Sequence, residues 1–320
     1  IASKYGTPYI LNRKKQFNGF RRGTIQHISI NLPQIGYCRG DTLPNLENRM
    51  KKAFEVLLLK KKVMEKNLEH NLLPFLKQKA SGLRYYNPSK QQYVISYTGL
   101  NELVKTQTNY GLDSREGVKY GLKIVKHMKE MTDLFCRESG LDFVLTGDPK
   151  GICYTRFAKI DSNKFPEKAR VNGGANQYYS KTHYINHESL WEKLDNEGKF
   201  NTIVGGRTTT HVRLNSNTYT PDDMKTLLAK ILSRKDVTYL SVSRPLTMCV
   251  KCGNTQVGKG IKCGKCKSKS VSVWARDTGH LQNTKMWNPS QKQAFIDEYR
   301  YDLKGDGEKI SKREKKIILK

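Results

Sequence analysis

Four of the seven cysteines stand as Cys249-x2-Cys252-x10-Cys263-x2-Cys266, and no other feature of the chain constrains its fold as much. Two C-x2-C knuckles ten residues apart bring four thiolates to one tetrahedral point, the spacing of a zinc ribbon. Gly253 and Gly264, each next to a cysteine, supply permissive backbone for the tight turns. Four thiolates leave no open coordination position, so Zn2+ held here is expected to be structural rather than catalytic. Cys38, Cys136 and Cys153 fall outside the pattern. That leftover set argues against a disulfide framework and for a reducing, cytoplasmic compartment.

Charge narrows the partners. Lys and Arg number 58 against 29 Asp and Glu, a net charge of +29 over 320 residues. Such a balance suits anionic partners, although basic residues spread along the whole chain also describe a solvated, lysine-rich surface. The one basic block, Lys304 to Lys320, reads as a flexible tail. No apolar run approaches the ~18 residues of a spanning helix, so no membrane association is expected. The start, Ile1 to Gly6, has no apolar h-region and no initiator Met, and reads as the interior of a larger protein.

The periodicities alternate between strand and helix, which gives an α/β class. Residues 25–31, 92–97, 142–146 and 237–243 read as strands, as does Thr210-His-Val. A long helix is expected over 45–73, with Met50, Phe54, Leu57, Met64 and Leu68 on one stripe. Asp113 and Glu116 resemble a capping box for a second helix that Gly140 stops. Thr220-Pro-Asp-Asp is a helix start: cap, proline in the first turn, acids against the dipole. Cys136 falls inside a helix, Cys153 precedes a strand at Tyr154, and His211 is expected to be a barrel histidine rather than a ligand. Three regions follow: 1–243, 244–303 with the ribbon, and the tail 304–320. No Walker loop, G-x-G-x-x-G or G-x-S-x-G occurs.

Several strings fall in one order: SKYGTPYILNR (3–13), RRGTIQHISINLPQIGY (21–37), YTGLNELVKTQTNYGL (97–112), GLKIVKHM (121–128), YTRFAKID (154–161), GGRTTTHV (205–212), the ribbon, and WARDTGHLQ (274–282) before Trp287-Asn288-Pro289. In this order the chain resembles the C-terminal half of the anaerobic (class III) ribonucleoside-triphosphate reductases, over about residues 1–303. The resemblance implies the second half of a ten-stranded glycyl-radical-enzyme α/β barrel, followed by a small zinc-ribbon and glycyl-radical domain. It implies reduction of ribonucleoside triphosphates to 2'-deoxyribonucleotides for DNA synthesis. The family motif R-V-x-G-Y-L reads here Arg276-Asp277-Thr278-Gly279-His280-Leu281, which makes Gly279 the radical residue. A glycine suits that role because a Cα radical, stabilised by its flanking amide and carbonyl, wants a planar carbon with no Cβ. A radical-SAM activating enzyme with an iron–sulfur cluster is the implied partner, and the family is usually dimeric. The stored radical would pass to a finger-loop cysteine, whose thiyl takes the 3'-hydrogen of the ribose. Thr24, at a position that lines the family's active site, is a candidate substrate contact, as is Arg156 toward phosphate.

The chain also departs from the family. The finger interval Arg13 to Arg22 contains no cysteine, so the thiyl residue is expected from an N-terminal half or second fragment, and the chain alone is expected to be inactive. His280 replaces the motif's tyrosine, Lys181 replaces asparagine, and Gly151-Ile152 stands where many members have Glu-Ser. The competing reading is a basic zinc-ribbon module that binds nucleic acid. It leaves the upstream α/β pattern and the RDTG string unexplained, and segment 267–273 carries no interleaved aromatic.

Overall fold

The computed structural model describes residues 2–4, 7–11, 23–147, 153–169, 174–204, 208–215, 217, 219–237, 239–258, 260–277, 281–309 and 315, with side chains from residue 23 onward. An antiparallel hairpin, β1 (Ala2–Lys4) and β2 (Thr7–Leu11), opens the chain. Strand β3 (Thr24–Asn31) runs directly into a short helix α1 (Leu32–Tyr37) and then the long α2 (Thr42–Glu69). Pro33 follows the end of the strand and occupies the first turn of α1, where its missing N–H costs nothing. A small hairpin, β4 (Lys79–Ala80) with β5 (Leu83–Arg84), precedes β6 (Gln92–Thr98), α3 (Leu100–Thr108), α4 (Arg115–Ser139) and β7 (Asp142–Gly147).

Strands β3, β6 and β7 form a parallel sheet in that order. Its helix-covered face is apolar: Ile30, Tyr93, Ile95, Tyr97, Phe143 and Leu145 pack with Leu46, Met50 and Leu57 of α2 and Ile124 and Met128 of α4. Helix α4 starts one residue later than the sequence suggests. Ser114, not Asp113, caps it by accepting from the Gly117 N–H at 3.0 Å. Gly140 ends it in the left-handed region, as expected.

Helix α5 (Cys153–Lys164) corrects another expectation, that of a strand at Tyr154. Then come α6 (Leu190–Ile203), β8 (Thr209–Arg213), α7 (Pro221–Leu232) and β9 (Tyr239–Ser243). The Thr220–Asp223 capping box at α7 is formed in both directions. Strands β8 and β9 are parallel, and β2 adds antiparallel to β9. The two sheets meet at Gly147. A Cβ there would lie 3.0 Å from Thr208 and 3.1 Å from Thr182, so any larger residue would make these threonine side chains give way.

The ribbon sheet has order β11-β10-β12-β13, from β10 (Leu246–Cys249), β11 (Thr255–Val257), β12 (Val271–Arg276) and β13 (Leu281–Asn283). Helix α8 (Pro289–Asp297) and the pair β14 (Arg300–Tyr301) and β15 (Gly307–Glu308) return the chain to the barrel, where Tyr301 joins the core of α6, α7 and β8. The basic tail therefore begins later than expected. Lys304 and Gly305 carbonyls accept from Trp191 and Leu190, and the Gly307 N–H donates to Glu188. No described helix is long and apolar enough to cross a membrane.

Candidate radical hairpin and metal centre

The four ribbon sulfurs lie within 4.8 Å of one another. Cys249 and Cys266 Sγ are 3.5 Å apart, and Cys252 and Cys263 Sγ 3.6 Å. Thiolates about 2.3 Å from one tetrahedral metal would be ~3.8 Å apart, so the cluster has the dimensions of a four-sulfur metal site. The two knuckles match: the N–H of Gly253 donates to the Cys249 carbonyl and that of Lys267 to the Cys263 carbonyl, both at 3.0 Å. Gly253 and Lys267 are the left-handed residues, with φ of +69° and +58°. The expectation for Gly264 thus shifts three residues, to the lysine that follows the second pair. The Cys266 amide donates to Cys263 Sγ, and such donors hold the Cys263 thiol down to about 6.

From the second knuckle, β12 runs to Arg276 and pairs antiparallel with β13, with Arg276 opposite Leu281. This ladder brackets the tip that carries Gly279. Residues 278–280, Gly279 among them, lie outside the described residues. The root of the tip is held from the barrel side. Arg213, on β8, donates to the Arg276 carbonyl at 2.6 Å. The Asp277 carboxylate accepts from Tyr154 Oη at 2.9 Å, from Gln291 Nε2 at 3.1 Å, and from Lys181 Nζ. Lys181 also stands 3.5 Å from Glu298 and over the Tyr154 ring. Glu298 pairs with Arg213. Burial works against its charge, yet Arg213, Lys181 and Arg300 outweigh it and hold the carboxyl at about 2. The Tyr154 hydroxyl is pushed well above its ordinary range by burial and then by the Asp277 charge. His211 lies on β8, and burial, with Arg213 and Lys181, pushes it down to about 3.

Lys181 belongs to a segment that ties the sequence strings together. Asn31 and Gln34, from the INLP string and its successor, donate to Asp161 at 2.7 and 2.8 Å, and Tyr179 Oη donates to it at 2.9 Å. Glu102, of the GLNEL string, accepts from Ser180 N and Oγ at 3.0 and 2.7 Å. Gly99 opens that string in the left-handed region, and a Cβ there would fall 2.4 Å from Pro33. His183, pushed down to about 4 by burial, bridges Tyr97 and Asn201 at 2.8 and 3.0 Å. Between them Thr182 holds φ of +56°, a β-branched residue in the left-handed region. That conformation costs on the order of 1–3 kcal/mol and persists only where neighbours over-determine it.

The sheet face opposite the helices carries polar pairs beside the buried Val94 and Val144. His27 meets Ser96 at 2.6 Å and Ser29 meets Thr98 at 3.2 Å. Thr24 lies exposed at the opening of β3, and Arg156 lies exposed on α5. Among the described residues neither is joined to the hairpin root by a hydrogen bond or ion pair. The finger interval, 13–22, lies outside the described residues. Sequence reasoning did not bring Asp277, Tyr154 and Glu298 together as a candidate site. The signal for one contact was present, in the unusual charge at Lys181.

The family model of anaerobic ribonucleoside-triphosphate reductase matches residues 3–301. The chain belongs to that family. Anaerobic ribonucleoside-triphosphate reductases of Haemophilus influenzae and Escherichia coli are 24% and 22% identical to it over 81% of its length. The chain spans 40% of the length of each. Among solved structures, an anaerobic ribonucleotide reductase superposes with a TM-score of 0.71 at 19% identity, covering 88% of this chain and 45% of the other. The Thermotoga maritima enzyme with MES in the active site gives 0.70 at 20% identity, covering 84% and 45%. The α/β architecture is thus that of the reductases, and the shared part of each relative is less than half.

Proposed function

We propose that this chain is the C-terminal, radical-bearing portion of an anaerobic ribonucleoside-triphosphate reductase. The observation that carries the reading is the hairpin root. The strand leaving the four-cysteine cluster delivers Arg276 and Asp277 to buried barrel side chains, two residues before Gly279. Gly279 would store the radical after a radical-SAM partner removes a Cα hydrogen. Arg213 would fix the Arg276 carbonyl so that the loop keeps its place against the barrel. Cys249, Cys252, Cys263 and Cys266 would hold Zn2+, whose closed sulfur shell supplies rigidity and no reaction chemistry. The polar pairs of His27, Ser29, Ser96 and Thr98 would border the nucleotide space, with Thr24 and Arg156 as outer contacts. Ribonucleoside triphosphates are the substrate class in this reading; a Thermotoga maritima relative has been solved with dATP and CTP. The thiyl cysteine would come from another part of the enzyme, and the working unit would be a dimer.

Anaerobic activation followed by oxygen tests this. With a radical-SAM activase, the chain is expected to give an EPR doublet and, on exposure to air, to break at Gly279 by mass spectrometry. Gly279→Ala abolishes both. An intact chain with full metal and no doublet would sink the proposal.

A further inference from the structure

Lys181 and Asp277 form a contact that the fold has prepared on both sides. The side chains are only 19% and 7% exposed, and Glu298 beside them is 8% exposed. Asp277 is the last described residue before the tip. Every neighbour of Lys181 is already committed: Tyr178 to Asp297, Tyr179 to Asp161, Ser180 to Glu102, and His183 to Tyr97 and Asn201. The left-handed Thr182 follows directly. A lysine on a flexible stem is therefore presented from an unusually fixed backbone.

We propose that Lys181 is a positioning residue for the radical glycine, acting through Asp277 to seat the hairpin in the barrel. Its consequence for the radical rests on the reading of Gly279 given above; the seating itself does not. The other two donors to Asp277, Tyr154 and Gln291, are neutral, so Lys181 supplies the one charged hydrogen bond to that carboxylate among the described residues, with the Arg213 charge acting on it from farther off. Removing Lys181 strands a buried anion and pushes the root out of its seat. Removing both charges leaves a neutral contact that still closes.

The test uses the full, metal-loaded chain and its K181M, D277N, K181R and K181M/D277N variants. Hydrogen exchange across 271–286 is expected to quicken at least about tenfold in K181M and to recover in the double variant. K181R should stay close to wild type. After activation, the EPR doublet of K181M should decay at least about tenfold faster under anaerobic conditions, and that of K181R should not. Unchanged exchange in K181M, or a double variant that equals the sum of the singles, overturns the seat. Altered exchange with an equally long-lived doublet reduces the pair to a fold contact and overturns the positioning role. Absence of any doublet in wild type counts against the radical reading, while the exchange cycle still decides the seat.

Discussion

Around the sheet β3-β6-β7, Ile95, Tyr97, Leu103, Ile124 and Val125 are sealed from solvent by three helices. Between Leu246 and Arg276, the described side chains that are buried are Thr247, Cys249, Cys263, Val273 and Ala275. The first region is held by area removed from water. The second has too little apolar surface for that and relies on thiolates converging on one point. The hairpin with Gly279 is strung between the two, hydrogen-bonded as a ladder to the ribbon and by buried charge to the barrel. Losses in one region should therefore leave the other standing.

The largest effect falls on the ribbon. With Zn2+ in the cluster as proposed, chelation should remove on the order of 10 kcal/mol of local stabilisation, and Cys263→Ser a part of it. Exchange protection over 246–276 is lost while the barrel's far-UV melting transition stays in place. Simultaneous collapse of both transitions would break the contrast.

A smaller effect should be confined to the barrel. Burial holds His183 at about 4 in the folded chain, against 6.5 ordinarily. The unfolded chain takes up the proton first, so stability is full above about pH 6.5 and falls as the pH drops toward 4, by about 3 kcal/mol. Urea midpoints at the two ends of that window should show a shallower pH slope in His183→Gln than in wild type, with metal content at neutral pH the same in both.

The smallest effect sharpens the same line. Thr220→Ala removes the cap of α7 and its reciprocal bonds with Asp223. About 1 kcal/mol of barrel stability should go with it. Retention of metal by the ribbon, measured by competition with a chromogenic chelator, should be unaffected.

Local rules carried much of this into view before any coordinates. The α7 cap, the Gly140 stop, the stripe through Met50 and Leu57, and the cysteine cluster each depend on residues a few positions apart, which a sequence displays directly. Helix α5 escaped although Tyr154, Phe157 and Ala158 keep the i, i+3, i+4 spacing of a helix, because three apolar positions in so short a run carry little weight. The hairpin root escaped for a different reason. Tyr154, Lys181, Arg213 and Glu298 lie 123, 96, 64 and 21 positions from Asp277, and only tertiary closure brings their charges together. The lysine at 181 was visible in the sequence. That it touches Asp277 was not.

Strand β12 has one more consequence. Its six residues join the metal knuckle to the hairpin root with no slack, and a paired strand neither stretches nor compresses by a fraction of a residue. It works as a ruler of fixed length and fixed phase. Adding or deleting a single residue between Val271 and Arg276 would advance the root by about 3.3 Å and turn every following side chain to the opposite face. Asp277 would then face away from the barrel although no residue of either anchor had changed. Sequences that keep this hairpin can thus vary the composition of the strand far more freely than its length.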